Sequence, residues 1–345
     1  MSIKIGPTHE SLSKSDGFIF DSEMNFHMMW KQHEFGQWWR CFESLFTHPL
    51  SRTFINSVVD DLEYHQRLSP PNGLFKKKKF DQELKQLAHF YGSGSIDLSK
   101  NKIVNGAHSL FSVGLASYAL EVFHQKRYKI RWNEPTPRIV QLSLDDNADL
   151  PPPSSIRPFP WSEQLVLEGH IKSKAFADEL TIKEAGHLEI DGERFMLVPA
   201  SLLERFVSTC LPHAPEVSSA EKIEFPSVWS KPDNSILSVV ISSIVDLFSR
   251  SERSVYITGT DSWNAYLRAY IFDNGWGKAV TESYDSNSYQ TVLRCPKSTL
   301  FPFTIGLSAG IWERAHGRKF KLQIIEDNLS IQVIISSLLE YENEV

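Results

Sequence analysis

Residues 124–132 have the residue types and spacing of a binding strand. An extended chain would place Arg127, Lys129 and Arg131 on one face and Tyr128, Ile130 and Trp132 on the other. Alternate side chains of a strand lie roughly 6.6 Å apart. Three cations in such a row can follow a phosphate backbone or an acidic partner. The segment therefore predicts a site for a polyanion.

A second group of cations precedes it in the chain and consists of Lys76, Lys77, Lys78 and Lys79. We call residues 76–79 the lysine run. Asp81 could cap a helix, which predicts that the run lies just before a helix N-terminus. The flanking Phe75 and Phe80 could anchor the run or stack on bases.

The charge of the chain is unevenly distributed. The net charge is −6, yet residues 64–143 carry 13 Lys or Arg against 5 Asp or Glu. A protein that binds a polyanion over its whole surface would be basic throughout. Any anion site is therefore expected to be local, within this basic segment; a solvated charged face is the alternative.

Gly306, Ser308 and Gly310 form a G-x-S-x-G pattern. The apolar residues 303–307 predict a strand before it, and a strand followed by a helix is the context of a nucleophile elbow. Only His316 and Asp327 follow as partners, and they do not keep the usual order of acid and distant histidine. Nucleophilic catalysis by Ser308 is one prediction, and glycine packing is the alternative.

An aromatic cluster near the N-terminus includes Trp30, Trp38 and Trp39. One face of a helix cannot bury the whole cluster, because neighbouring residues point in different directions. Tryptophan is enriched at protein interfaces, so these three residues are a predicted protein contact. Burial within a helical bundle is the alternative.

No pattern in the chain indicates a metal or a cofactor. The 12 histidines and 3 cysteines keep no common zinc-ligand spacing. Few and distant cysteines, together with an N-terminus that lacks a signal-peptide core, predict a cytoplasmic protein. The longest apolar run, residues 236–248, is too short to span a bilayer and predicts a buried helix, so no membrane partner is expected.

The periodicity predicts a mixed α/β protein, with α+β as an alternative. Residues 1–144 are expected to form a mainly helical domain, residues 145–160 a proline-rich linker, and residues 161–345 an α/β domain with a mixed sheet. A hairpin is expected at Asp191-Gly192 and a final helix at about residues 329–341. We find no internal repeat in the sequence pattern.

Taken together, these features predict a non-catalytic subunit of a larger intracellular assembly, which contacts the backbone of DNA or RNA and one or more proteins. One alternative is an enzyme with its site on the α/β half, at Ser308. The other is a protein that serves only to bind other proteins.

Overall fold

A computed structural model describes residues 12–145, 155–162, 181–183, 186–216 and 222–339. The described part contains eight helices: α1 (Gln32–Glu43), α2 (Ser51–Tyr64), α3 (Lys76–Tyr91), α4 (Ser109–His124), α5 (Ala200–Cys210), α6 (Lys231–Ser249), α7 (Thr260–Leu267) and α8 (Phe301–His316). A π-helical turn, Arg268–Phe272, follows α7 directly.

The strands form three sheets. The first has the order β1-β2-β3-β10-β9-β8, the second β4-β5-β7-β6 and the third β11-β14-β15-β13-β12. Their bounds are β1 (Ser13–Ser15), β2 (Phe18–Phe20), β3 (Phe26–Lys31), β4 (Ser95–Asp97), β5 (Lys102–Val104), β6 (Lys129–Thr136), β7 (Ile139–Asp145), β8 (Thr181–Lys183), β9 (His187–Ile190), β10 (Glu193–Pro199), β11 (Ile223–Glu224), β12 (Val280–Tyr284), β13 (Thr291–Pro296), β14 (Phe320–Glu326) and β15 (Ser330–Ser337).

The mixed α/β class and the mainly helical first half are confirmed. Strand β3 pairs with β10, so strands from both sides of the predicted linker share the first sheet. Residues 146–154 of that linker lie outside the described residues. Phe159 and Trp161 at its end are buried and stack on one another at 4.7 Å. The division into two domains stays a prediction.

Two predictions of secondary structure near the C-terminus are wrong. The segment predicted as a strand at residues 303–307 lies within α8, and the predicted final helix is replaced by β15. Helix α8 is buried on all sides along most of its length, so its apolar residues do not follow a helical period. In β15, Ile331, Val333 and Ile335 are buried at every second position, which is the strand period.

The described chain contains an internal repeat that the sequence pattern did not reveal. The first unit runs α2, α3, β4, β5, α4, β6, β7, and the second runs α6, α7, β12, β13, α8, β14, β15. The order of these strands is the same in both sheets, except that β11 is added beside β14. Residues 101–134 match residues 293–326 without a gap. Seven positions are identical: Phe111/Phe303, Gly114/Gly306, Leu115/Leu307, Glu121/Glu313, His124/His316, Lys129/Lys321 and Glu134/Glu326.

The conserved glycine of each unit lies where two helices approach most closely. A Cβ atom on Gly114 of α4 would lie 2.5 Å from the Cβ of Val58 on α2, and one on Gly306 of α8 would lie 2.8 Å from the Cβ of Ile244 on α6. No other residue type fits without displacing the facing helix. Each unit is therefore built on a closely packed helix pair.

The conserved glutamate fixes the turn from the helix to the next strand. Glu121 accepts a hydrogen bond from the backbone N–H of Tyr128, and Glu313 accepts one from Phe320, each at 3.3 Å. In both units the helix ends at a residue in the left-handed region, with φ of 53° at Gln125 in the first unit. The same glutamate hydrogen bond and the same left-handed residue therefore direct the chain into β6 in the first unit and into β14 in the second.

Replacing Gly114 or Gly306 by alanine is expected to lower the free energy of unfolding by about 1–3 kcal/mol, the usual cost of overpacking. Urea unfolding followed by circular dichroism measures this change. Gly36→Ala is the matched control, because a Cβ at Gly36 in α1 meets nothing within 4 Å. Alanine there should stabilise the helix by up to about 1 kcal/mol. Equal effects at all three positions would contradict the close packing.

Candidate functional site

The lysine run forms the first turn of α3. The helix begins five residues before the predicted cap at Asp81, so the run lies inside the helix and the prediction of a preceding loop is wrong. All four lysines are exposed, no side chain caps the helix N-terminus, and its first turn contains no acid. The first backbone N–H groups of a helix lack intrahelical partners and carry partial positive charge. Four ammonium groups reinforce that charge.

Apolar side chains flank the lysine run on the outside. Leu74 is 89% exposed and Phe75 is 70% exposed, whereas Phe80 is only 1% exposed. Of the two phenylalanines that the sequence singled out, only Phe75 is therefore accessible to a ligand. Phe80 instead packs against Phe123 of α4, with ring centroids 5.2 Å apart.

The contact between Phe80 and Phe123 places the lysine run beside the C-terminal end of α4. The chain leaves α4 through Lys126, whose ammonium lies 5.6 Å from the ring centroid of Tyr128, and then enters β6. The contact between Phe80 and Phe123 therefore joins the end of the lysine run to the end of α4, from which the chain continues into the second basic segment. We refer to residues 74–79, 126, 129 and 131 together as the basic corner.

The three cations predicted on one strand face have different surroundings. Lys129 and Arg131 are exposed on β6 and Ile130 is buried between them, as the alternation predicted. Arg127 precedes the strand and forms an ion pair with Glu63. Arg131 lies 3.7 Å from Asp145, whereas Lys129 forms no ion pair with any residue of the described ranges.

A half-buried acid, Glu121, lies at the turn from α4 into β6. The pKa of the Glu121 carboxyl is raised to about 7, mainly by burial and also by the nearby charges of Glu63 and Asp60. The hydrogen bond from Tyr128 and the charge of Arg127 act in the opposite direction. This carboxyl therefore changes its charge near neutral pH.

Ser308 does not lie at a nucleophile elbow. It lies in the middle of α8, is fully buried, and its hydroxyl donates to the Thr304 carbonyl at 2.9 Å. The glycines of the pattern serve helix packing instead, Gly306 against Ile244 and Gly310 against Phe248. The strand that would present a nucleophilic serine is part of the helix, so the expected strand–turn–helix context is not formed at Ser308.

The predicted tryptophan interface lies in the interior of the chain. Trp30, Trp38 and Trp39 are at most 6% exposed. The Trp38 indole N–H donates to the Ser243 hydroxyl of α6 at 3.1 Å, and the Trp39 ring packs 5.1 Å from Phe54 of α2. Through Trp38 and Trp39, α1 joins the two units, and all three tryptophans lie in the interior rather than on the surface.

A cleft of about 800 Å³ lies between β3, α1 and the segment that follows α6. Arg253 forms an ion pair with Glu34 and lies over the Tyr270 ring at 4.5 Å, and Lys31 lies 3.7 Å from Glu193. Sequence reasoning missed this cleft because its walls come from distant segments. The paired charges leave no excess of one sign, so these groups do not select a ligand by its charge.

A buried charge cluster connects the turn before β3 to the end of α2. The Asp21 carboxylate lies 2.8 Å from the Arg67 guanidinium and 3.1 Å from His27 Nε2, and all three side chains are buried. Burial acts to raise the pKa of Asp21, but the hydrogen bond and charge of His27 and the charge of Arg67 hold it well below its usual range. This cluster holds the turn before β3 and the residues that follow α2 together.

Among the described residues, no three His, Cys, Asp or Glu side chains are arranged to hold a metal ion. Cys41, Cys210 and Cys295 are buried and unpaired. The helices in the described ranges are all too short or too polar to cross a bilayer.

The chain has no detectable similarity in three comparisons. No model of a protein family matches it, no curated protein is significantly similar in sequence, and no solved structure is significantly similar in fold. Its function must therefore be argued from the basic corner itself.

Proposed function

We propose that this protein is a non-catalytic component of a larger assembly and that its basic corner binds the phosphate backbone of a nucleic acid. The observation that carries the proposal is the exposed lysine run on an uncapped helix N-terminus. Backbone N–H groups and ammonium groups there can both donate to phosphate oxygens. The proposed location is the cytoplasm, where unpaired thiols stay reduced.

A comparison of the two units supports a specialised role for the first. Helix α7 occupies the place of α3 in the second unit, and it has an acid, Asp261, in its first turn. The Ser262 hydroxyl accepts from the backbone N–H of Gly259 at 3.1 Å and so satisfies that end. The α3 N-terminus has four lysines and no cap. A shared fold therefore does not require the lysine run, and anion binding supplies a reason for it.

The arrangement of the corner favours an extended, sequence-independent contact. The lysine run, Lys129 and Arg131 supply point charges that can follow successive phosphates. Phe75 is exposed beside them and can stack on an unpaired base, which supports a single strand as the ligand. Arg127 is held by Glu63, so its expected role is to position the start of β6.

Replacing all four lysines of the run by alanine is expected to weaken binding of a single-stranded oligonucleotide by at least about tenfold at 50 mM salt. The salt dependence should also become shallower by about 3, since each lost phosphate contact contributes roughly 0.7 to the slope. Fluorescence anisotropy between about 50 and 200 mM salt measures both quantities.

The matched control replaces the exposed Lys100, Lys231, Lys278 and Lys319 by alanine, which removes the same charge from other surfaces. Equal losses in the two variants would contradict a local site. Binding to anionic lipid vesicles without binding to oligonucleotides would assign the corner, with its exposed Leu74 and Phe75, to a membrane surface instead.

Oligonucleotide binding is also expected to tighten as the pH falls from 8 to 6. The Glu121 carboxyl, with a pKa of about 7, is charged above this range and neutral below it, so acidification removes a negative charge at the turn into β6. In water, one elementary charge about 10 Å away corresponds to roughly a twofold change in affinity. Glu121→Gln should show a correspondingly smaller pH dependence in the same anisotropy assay. An unchanged pH profile in this variant would contradict the effect of Glu121.

A further inference from the structure

The sheets of the two units differ at one edge. In the second unit, β11 pairs with the outer side of β14. In the first unit, β6 occupies the place of β14 and is the last strand of its sheet within the described residues. An edge strand with unpaired backbone groups is a template for a further strand. The second unit therefore shows how a strand is added to this fold.

Strand β11 binds through one apolar and one acidic residue. It runs parallel to β14, with Ile223 opposite Leu322 and Glu224 opposite Gln323. Ile223 is 5% exposed, and the Glu224 carboxylate lies 2.6 Å from the Lys321 ammonium. Strand β11 is therefore held by backbone pairing, by burial of Ile223 and by the ion pair between Glu224 and Lys321.

The first unit repeats the receiving side of this arrangement. In the ungapped match, Lys129 stands at the position of Lys321, Ile130 at Leu322 and Arg131 at Gln323. Lys129 and Arg131 are both exposed on the edge strand. The edge of β6 therefore has a lysine, Lys129, at the position of the one that pairs with Glu224, and a second cation, Arg131, where the second unit has Gln323.

One side chain covers the edge of β6. The exposed Arg52 of α2 donates from Nη1 to the Ile130 carbonyl at 2.5 Å and lies 5.2 Å from the Trp132 ring centroid. It gives this carbonyl the donor that a backbone N–H of an added strand would supply. A change in the Arg52 rotamer frees this carbonyl.

We propose that the edge of β6 docks an extended segment of a partner protein, parallel to β6, in which an apolar residue is followed by an acidic one. Lys129 pairs with that acid as Lys321 pairs with Glu224, and Arg131 favours a further negative charge. This inference does not rest on nucleic-acid binding. The two ligands share Lys129 and Arg131, but the lysine run belongs to the nucleic-acid site alone.

The test uses a fluorescent peptide with the sequence of residues 220–227, A-E-K-I-E-F-P-S, which contains β11. It should bind the full chain saturably, and Lys129→Glu should weaken binding by at least about tenfold. A peptide with lysine in place of the second glutamate should recover affinity for Lys129→Glu, because the charges are then exchanged. Lys85→Glu on the exposed side of α3 is the control and should not change binding.

A second peptide tests the backbone pairing. Methylation of its isoleucine and second-glutamate backbone nitrogens should abolish binding while every side chain is kept. Replacement of the lysine run by alanine should leave peptide binding unchanged, which separates this site from the nucleic-acid site. The proposal is overturned if the peptide does not bind, if methylation has no effect, or if Lys85→Glu acts as strongly as Lys129→Glu. In that case, the role of Lys129 and Arg131 would be to prevent other chains from pairing with the edge of β6.

Discussion

The close approach of two helices at a glycine is the constraint on which each unit of this protein depends. Gly114 lets α4 lie against Val58 of α2, and Gly306 lets α8 lie against Ile244 of α6. The sheet of each unit then packs on its central helix, and a conserved glutamate fixes the turn into the strand that follows. Helix α1 joins the units, since Trp38 bonds to α6 while Trp39 packs on α2. These two tryptophans, a residue type that is common at protein interfaces, therefore pack inside the protein.

Sequence patterns predicted the elements whose exposure differs between faces. The hairpin at Asp191-Gly192 follows from its turn residues. The alternation of Lys129, Ile130 and Arg131 on β6 is also observed. In each case the secondary structure was indicated by a local periodicity or by residues typical of a turn.

Helix α8 could not be predicted in this way. Helix α8 has no polar face, so its first residues resembled a strand and Ser308 resembled a nucleophile. The internal repeat was missed because only a few identities survive, and these have meaning only once the helix pairs are seen. The lysine run was assigned to a loop because Asp81 was taken as the cap, whereas the helix begins at Lys76 without one. The cleft beside Arg253 depends on tertiary contacts between distant segments.

Because the two units share a fold, each serves as a reference for the other. Features shared by the units, such as the glycines and the turn glutamates, serve the fold. Features of one unit alone need another explanation. The lysine run, the edge position of β6 among the described strands and the Arg52 contact with Ile130 all belong to the first unit, where the positive charge of the chain is concentrated. These differences are the basis for proposing that binding belongs to the first unit, while the second unit holds its own strand, β11, at the equivalent edge.

The most direct test of this account is a footprint of lysine reactivity. The full chain is acetylated briefly with and without a saturating single-stranded oligonucleotide, and the modification of each lysine is measured by mass spectrometry. The account predicts protection of Lys76, Lys77, Lys78, Lys79 and Lys129, with no change at Lys278 or Lys319 of the second half. Protection spread evenly over all exposed lysines, or confined to Lys31 in the cleft, would contradict it.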